Sequence, residues 1–274
     1  MFGWEYPPRH LGGLGVACQG LVRGLLHHGA KVTLVLPHGE AEVEDGVELV
    51  CPTEEQKRMI RVRSSLQPYD SPRSFATRAA KTGDPLYASD LGAAVHAFTE
   101  LSVALTEHVH PDIVHSHDWM TFDAGRRAAS SHHVPLIAHV HATELDRTHF
   151  RPNEWIYWRE REGMEAADHI ITVSNYTKTI LIREYGIPPE KIDVVHNGTA
   201  DRPQADILTT LPPKHPLVLF VGRLTVQKGP FHFLEAARVV RQHIPHAQFI
   251  IAGEGYLLPE LVDRACAMGL QEAV

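Results

Sequence analysis

The feature that most constrains the fold is a series of short apolar runs separated by stretches with helical periodicity. The runs are too short for helices and rich in β-branched residues, which is typical of strands buried on both faces. They cover residues 32–36, 113–114, 136–138, 170–173, 192–195, 217–221 and 249–251. Helical patterns lie between them, as at Phe233, Ala236, Ala237 and Val240 in positions i, i+3, i+4 and i+7. This alternation predicts an α/β fold with parallel sheets.

The chain is long enough for two such sheets, because its 274 residues exceed the ~100–200 typical of one domain. Strand and helix alternation stops at a proline-rich stretch and restarts at residue 217. We therefore expect a first domain over residues 1–200, a linker over 201–216 and a second domain over 217–274. The second sheet shows two strands and one later helix, so we expect it to be incomplete at its C-terminal side. A polar insertion over residues 56–84 interrupts the first domain.

Charge and cysteine content exclude several classes of protein. The chain has 26 Lys and Arg against 33 Asp and Glu, a net charge of -7 without long blocks of either sign, so we expect no nucleic-acid partner. Cys18, Cys51 and Cys266 are far apart and form no CxxC pair, which fits a reducing cytoplasm. No apolar run approaches the ~20 residues of a transmembrane helix, and no secretory signal is evident.

Histidine is frequent, with 20 residues, but the sequence predicts no metal site. The two adjacent pairs, His27 with His28 and His132 with His133, have no acidic or cysteine partners at ligand spacing. We interpret them as surface or helix-end residues.

A glycine-rich turn precedes the first predicted helix, over residues 16–28. Gly12, Gly13 and Gly15 leave the backbone bare at a helix entrance, where free N–H groups and the helix dipole favour an anion. A purely conformational role is the alternative. The order differs from the GxGxxG dinucleotide fingerprint, and no acidic residue clearly ends the next strand, so an NAD-dependent oxidoreductase is disfavoured.

Two polar clusters follow neighbouring strands at their carboxyl ends, where open α/β sheets bind ligands. The first runs from His115 through His117 and Asp118 to Trp119, and the second contains His141. A carboxylate and an indole side by side can hold a sugar, through hydroxyl hydrogen bonds and contact with an apolar ring face. Asp118 as a helix N-cap and Trp119 as a core residue are the structural alternatives, and both interpretations can hold together.

The second domain begins with a strand, a turn carrying two cations, and a new helix. Arg223 and Lys228 stand five residues apart in this turn. Fixed positive charges beside a helix start are suited to a diphosphate, although ordinary surface charge is the alternative.

Together these motifs resemble the retaining glycosyltransferases of the glycogen and starch synthase group, families 4 and 5 of the GT-B type. The motifs that carry the resemblance are Gly12-Gly13-Leu14-Gly15, His115-Ser116-His117-Asp118-Trp119, His141, Val173-Ser174-Asn175, Val195-His196-Asn197-Gly198, Gly222-Arg223-Leu224 through Lys228-Gly229, and Gly253-Glu254-Gly255. The resemblance implies two Rossmann-like domains, acceptor elements mainly on the first and a nucleotide-sugar donor mainly on the second, and no further cofactor.

The resemblance also assigns roles to particular residues. It implies a catalytic set of His141 and Asp118 beside the sugar and Arg223 and Lys228 on the departing diphosphate. It implies that Gly13 approaches the diphosphate or the sugar. The remaining substrate-binding residues implied are Gly12, His117, Trp119, Asn197, Gly253 and Glu254.

Two departures from the family pattern stand out. Arg9-His10-Leu11 replaces a lysine that often precedes the glycine pair, and a pair of glutamates seven residues apart would lie beyond Val274. We therefore expect these 274 residues by themselves to show little transfer. The expected reaction is glucosyl transfer from ADP-glucose or UDP-glucose to an α-glucan. Open alternatives are a mannosyl- or other hexosyltransferase, a GT-B nucleotide-sugar epimerase and a non-catalytic sugar-binding module, and the oligomeric state stays open.

Overall fold

The computed structural model describes residues 1–8, 13–37, 39, 41–53, 56, 91–199 and 215–274. The chain divides into two units, one formed by Met1–Leu145 and Arg151–Ala200 and the other by Asp146–Phe150 and Asp201–Val274. The predicted insertion at 56–84 and the predicted linker at 201–216 fall almost wholly outside the described residues, so both stay predictions. No helix of the described part is long and apolar enough to cross a membrane.

The first unit alternates helices and strands as predicted. Its elements are α1 (Gly13–His27), β1 (Val32–Val35), β2 (Val47–Val50), α2 (Leu91–Thr106), β3 (Val114–His117), α3 (Trp119–His132), β4 (Leu136–Val140), α5 (Glu154–Ala166), β5 (His169–Thr172), α6 (Asn175–Glu184) and β6 (Ile192–Val194). The short helix α4 (Glu144–Thr148) follows β4 in the chain, and its residues from Asp146 onward are assigned to the second unit. The predicted strands agree with the observed ones to within a few residues. The sequence pattern missed β2, whose residues are only partly buried until Val50.

All paired strands of the first unit run parallel. β1 pairs with β2, and β3, β4, β5 and β6 form a continuous ladder in that order. The N-terminal backbone lies between the two groups, because Phe2 makes parallel bridges to both Val35 and Ser116. Its N–H donates to the carbonyl of His115 at 2.7 Å, and its carbonyl accepts from His117 N–H at 3.1 Å. β1 and β3 are thereby joined through one shared segment.

Helix α3 lies unusually close to β3. A Cβ atom added at Gly125 would fall 1.7 Å from Ser116 Oγ and 3.0 Å from Ser116 Cβ. Packing therefore favours glycine at this position, where α3 lies against β3. The α6 helix is capped by Ser174, whose Oγ accepts from Thr177 N–H at 3.0 Å, which gives the Val173-Ser174-Asn175 motif a local structural role.

The second unit contains β7 (Leu217–Val221), α7 (Pro230–His243), β8 (Gln248–Ala252) and α8 (Leu258–Ala267), and β7 and β8 are parallel. Its core contains Leu234, Phe249 and Leu261, with Phe220 packed against it. The prediction that every strand is buried on both faces is wrong here, because Leu219 and Ile250 pair on the opposite face and are 57% and 47% exposed. The described helices of this unit pack on the face of β7 and β8 that carries Phe220 and Phe249. The alternate residues of both strands point to the opposite face, away from this core.

Candidate functional site

Four histidines meet at the carboxyl ends of β3 and β4, and we call His115, His117, His139 and His141 the histidine cluster. In a strand, residues two apart point to the same face, and the parallel register sets His117 opposite His139. Ring centroids are 4.6 Å apart for His115 and His117, and 4.3 Å apart for His139 and His141, both stacked. The predicted meeting of the two strand ends is thus present in the structure.

Hydrogen bonds link the rings in pairs across the two strands. His117 Nδ1 lies 2.9 Å from His141 Nε2, and His115 Nε2 lies 3.2 Å from His139 Nδ1. Within each pair one ring nitrogen must donate and the other accept, so one N–H proton lies between the two nitrogens. Both bonds join a residue of the β3 end to a residue of the β4 end.

Burial keeps the histidine cluster neutral. Loss of solvation, together with the charge of neighbouring histidines, lowers the pKa of His115 and His139 to about 3. Burial likewise lowers the pKa of His141 to about 4 and holds that of His117 well below its usual 6.5. At neutral pH the cluster therefore offers uncharged imidazoles, able to donate or accept hydrogen bonds without adding positive charge.

Asp118 ties the two strand ends together. Its Oδ1 accepts from His141 N–H at 2.7 Å, and its own N–H donates to the carbonyl of His139 at 2.9 Å. The residue is 1% exposed and has φ 58° and ψ 167°, a region that residues other than glycine rarely adopt. Asp118 occupies the N-cap position of α3, but its side chain makes no capping hydrogen bond. The simple N-cap interpretation is therefore wrong, because the carboxylate is turned to the end of β4.

The structure places the other first-unit candidates less closely together. Trp119 is 4% exposed in the core, as its structural interpretation expected, and makes a T-shaped contact with Trp155 at a ring-centroid distance of 5.5 Å. Gly13 is the first residue of α1, and a Cβ there would meet no atom of the described residues within 4 Å, so no contact with them explains the glycine. Asn197 is exposed after β6, and Gly12 lies outside the described residues. Sugar or phosphate contacts for these four residues stay predictions.

In the second unit, the turn that carries Arg223 and Lys228 joins β7 to α7. Lys228 ends a short 3-10 helix, Val226–Lys228, and Gly229, with φ 66°, is the N-cap residue directly before α7. The lysine is exposed and the arginine is half-buried. Both cations therefore lie between the carboxyl end of a parallel strand and the N-terminus of a helix, as the sequence predicted.

The Gly253-Glu254-Gly255 turn supports that cation-bearing turn through its backbone. Leu224 N–H donates to the carbonyl of Glu254 at 2.7 Å. A Cβ at Gly253 would fall 1.9 Å from the carbonyl oxygen of Gly222, and one at Gly255 would fall 2.3 Å from that of Leu224. Close backbone packing thus accounts for both glycines, while substrate contacts of Gly253 and Glu254 stay predictions.

Sequence reasoning missed the contribution of α1 to the histidine cluster. Cys18, 1% exposed, lies on this helix, and its Sγ is within 4.8 Å of ring nitrogens of His117 and His141. A second group of three potential metal ligands consists of His115, His117 and His139. The signal available in the sequence was the position of Cys18 on the helix that packs over the sheet, but no local spacing links it to the histidines.

Solved structures show that the fold is that of the GT-B glycosyltransferases. A sucrose-phosphate synthase from Thermosynechococcus elongatus superposes with a TM-score of 0.74 at 16% identity, over 100% of this chain and 68% of that one. The catalytic domain of starch synthase IV from Arabidopsis thaliana, bound to ADP and acarbose, gives 0.62 at 16% identity, over 98% and 71%. These likenesses agree with the predicted α/β architecture with parallel sheets.

Curated relatives are glycosyltransferases. An uncharacterized glycosyltransferase of Methanocaldococcus jannaschii is 26% identical over 100% of this chain and 67% of its own length. A glycogen synthase of Mycobacterium tuberculosis is 27% identical over 97% and 63%. The chain spans about two thirds of the length of these two relatives.

Two family models match successive parts of the chain. The model "Glycosyl transferases group 1" matches residues 202–274, and the model "Glycosyltransferase Family 4" matches residues 11–201. Because the second of these models covers well over half of the chain, the protein belongs to glycosyltransferase family 4.

Proposed function

We propose that the chain forms part of a retaining hexosyltransferase that moves glucose from ADP-glucose or UDP-glucose to an α-glucan. The observation that carries the proposal is the 2.7 Å hydrogen bond from His141 N–H to Asp118 Oδ1, because it joins the two residues assigned to the sugar at one strand edge. The likeness to glycogen synthase, over 97% of the chain, supports glucose and a glucan.

The chemistry of the first unit suits a sugar that becomes positively charged. In retaining transfer the bond to the leaving phosphate weakens and the sugar gains oxocarbenium character. The neutral imidazoles of the histidine cluster do not oppose this charge, whereas cationic rings would. The Asp118 carboxylate, buried and held by backbone contacts, favours the same charge electrostatically.

The second unit supplies the complementary charge in this proposal. The departing nucleoside diphosphate gains negative charge, which Arg223 and Lys228 stabilise together with the N-terminus of α7. Charge compensation comes from these side chains, so we propose a transfer step with no cofactor besides the nucleotide sugar. Chelation with EDTA should then leave the transfer rate unchanged.

The test is nucleotide release by the protein expressed from its full reading frame, with a panel of nucleotide sugars and with or without glycogen. Arg223→Ala and Lys228→Ala should each lower kcat/KM by about two to four orders of magnitude, the range for losing a transition-state charge contact. Arg238→Ala is the matched control, since this arginine on α7 pairs with Glu235 at the surface. NMR of the new linkage should show retention at the anomeric carbon.

Near-normal turnover in both variants would contradict the proposed contact of Arg223 and Lys228 with the diphosphate, and an inverted product would contradict the retaining mechanism. Acceptor-independent conversion of the donor would instead indicate an epimerase. A putative UDP-N-acetylglucosamine 2-epimerase from Listeria monocytogenes shares the fold, with a TM-score of 0.52 at 16% identity.

A different hexose is the second candidate. A galactosyltransferase of Escherichia coli, named for UDP-Gal, is 32% identical over 163 residues, which are 55% of this chain and 42% of its own. Preferential release of UDP from UDP-galactose, or of a nucleotide from a mannose donor, would favour this candidate. The donor panel therefore separates it from glucosyl transfer in the same experiment.

A further inference from the structure

His117 is the most deeply enclosed ring of the histidine cluster. It is 0% exposed, and the centroids of the neighbouring rings lie 4.6 Å away for His115, 5.0 Å for His139 and 5.2 Å for His141. His141, at the other end of the 2.9 Å hydrogen bond, is partly exposed. A sugar at this strand edge would therefore meet His141 first, and any effect of His117 would reach the sugar through His141.

The two ring nitrogens of His117 have different surroundings. Nδ1 lies 2.9 Å from His141 Nε2, whereas Nε2 is buried and has no hydrogen-bond partner among the described residues. Both rings are neutral at pH 7, because burial lowers the pKa of His141 to about 4 and holds that of His117 well below 6.5. Each ring therefore carries a single N–H proton, and the hydrogen bond between them has only two possible directions.

The unused nitrogen of His117 favours one of these directions. If His141 Nε2–H donates, the proton of His117 must lie on its Nε2, as a buried N–H without an acceptor. If His117 Nδ1–H donates, its Nε2 is instead a lone pair without a donor. Among backbone groups, a buried N–H without an acceptor is rarer than a carbonyl without a donor, and we apply the same order to the ring. We therefore expect His117 to donate, which leaves the proton of His141 on Nδ1.

The second histidine pair repeats this arrangement. His139 Nδ1 lies 3.2 Å from His115 Nε2, and His139 Nε2 is buried without a partner among the described residues. In both pairs the more buried ring uses Nδ1 for the shared hydrogen bond and leaves Nε2 unused, while its partner is partly exposed. The same direction is therefore expected twice, with the buried ring as donor and the partly exposed ring as acceptor.

Two contacts together fix the position of His141. Its backbone N–H donates to Asp118 Oδ1 at 2.7 Å, which holds the main chain at the end of β4. The hydrogen bond with His117 holds the ring. The hydrogen bonds of the described residues leave His141 Nδ1 unused, so this nitrogen is the one available to a ligand.

We propose that His117 is a positioning residue that donates from Nδ1 to His141 Nε2 and thereby presents His141 to the sugar as a neutral donor through Nδ1–H. His117 itself makes no substrate contact in this proposal. The sugar-side role of His141 rests on the proposed function, whereas the direction of the hydrogen bond is a property of the protein alone. The two parts can therefore be tested separately.

The first test is the tautomer of His141, measured by long-range ¹H–¹⁵N NMR of untagged protein that carries ¹⁵N-labelled histidine. Protonated and bare ring nitrogens have different chemical shifts, and the signals lost in His141→Gln assign the ring. At pH 7 without substrate we expect a protonated Nδ1 and a bare Nε2. Free neutral histidine is mainly protonated on Nε2, so this result would report a hydrogen bond that imposes the other form. His141 protonated on Nε2, or exchanging between both forms, would overturn the proposal.

Asparagine and glutamine at position 117 form a matched pair of variants. The asparagine amide nitrogen is as far along the side chain as the Nδ1 of histidine and can donate to His141, whereas the glutamine amide is as far along as Nε2. His117→Asn should therefore keep the Nδ1–H form of His141, and His117→Gln should lose it. His169→Gln is the control and should leave the His141 signals unchanged, since His169 bonds Asp193 at the surface. Circular dichroism shows whether each variant folds, and an unchanged His141 tautomer in folded His117→Gln would overturn the proposal.

Kinetics of the same pair tests whether the positioning reaches the sugar. Misplacing a contact group by about 1 Å can cost about 100-fold in rate, so His117→Gln should have a kcat/KM up to about 100-fold below that of His117→Asn. A purely structural role would instead make the two variants differ in urea midpoint and leave their kcat/KM values alike, which would overturn the positioning role. The NMR measurement uses no glycosyl transfer, so failure of the hydrogen-bond direction and failure of the proposed function are separate results.

Discussion

Substitutions at Asp118 should separate its hydrogen bond from its strained backbone. The carboxylate accepts His141 N–H at 2.7 Å, and the backbone is held at φ 58° and ψ 167°. Strain of this kind is concentrated at functional sites and persists only where surrounding structure enforces it. Asp118→Ala removes the hydrogen bond and keeps the strain, Asp118→Gly removes both, and Asp118→Asn keeps an acceptor.

The magnitudes follow from these two contributions. A hydrogen bond to a charged group is worth about 1.5–3 kcal/mol, so Asp118→Ala should lower the free energy of unfolding by that amount. Glycine relieves about 1–3 kcal/mol of backbone strain but gains about 0.4–1 kcal/mol of entropy in the unfolded chain. Asp118→Gly should therefore be more stable than Asp118→Ala, by up to about 2.6 kcal/mol. Asp118→Asn should be the least affected of the three.

Urea unfolding followed by tryptophan fluorescence measures the series, because Trp119 adjoins the substituted residue in the core. The order of stability should be Asp, Asn, Gly, Ala. If Asp118→Gly were less stable than Asp118→Ala by the full entropy cost of about 0.4–1 kcal/mol, the positive φ would carry no strain and the reasoning would be refuted. If Asp118→Ala were as stable as the unaltered chain, the hydrogen bond to His141 would not support the strand edge.

Two further predictions concern the packing around the site. Gly125→Ala should cost about 1–3 kcal/mol through its clash with Ser116, and less in a Ser116→Ala background. Gly20→Ala on α1, where an added Cβ meets no described atom within 4 Å, should be neutral or stabilising. An equal cost in both backgrounds would contradict the clash. Tyr6→Phe should cost about 1.5–3 kcal/mol at pH 7, because the Tyr6 hydroxyl donates to the carboxylate of Glu44. Burial raises the pKa of that carboxyl, but hydrogen bonds from Tyr6 and Arg23 outweigh it and lower the pKa below 4.5, so the contribution is present above pH 4.5 and lost as Glu44 protonates. Urea unfolding at pH 7 and pH 3.5 should show the Tyr6→Phe difference shrinking, and a constant difference would exclude this linkage.

Much of the strand framework was predictable because buried parallel strands produce continuous apolar runs. The run at residues 136–138 and the polar residues after it predicted both β4 and the position of His141. β2 was missed because its residues alternate between half-buried and exposed until Val50, as in a strand covered on one side. The exposed faces of Leu219 and Ile250 were mispredicted for a related reason, since a run of apolar letters does not show which faces helices cover.

The sequence by itself determined the order of strands and helices and the two strand ends that carry polar residues. These features depend on the spacing of apolar residues and on turn residues, which are both local in the chain. Only the tertiary structure decided that Cys18 lies beside His117 and His141, because this depends on how α1 packs over the sheet. It also decided that Asp118 turns from α3 to the end of β4, and that Gly125 and Gly253 fit where a side chain would collide. These features arise from contacts between segments distant in the chain, which local propensity does not encode.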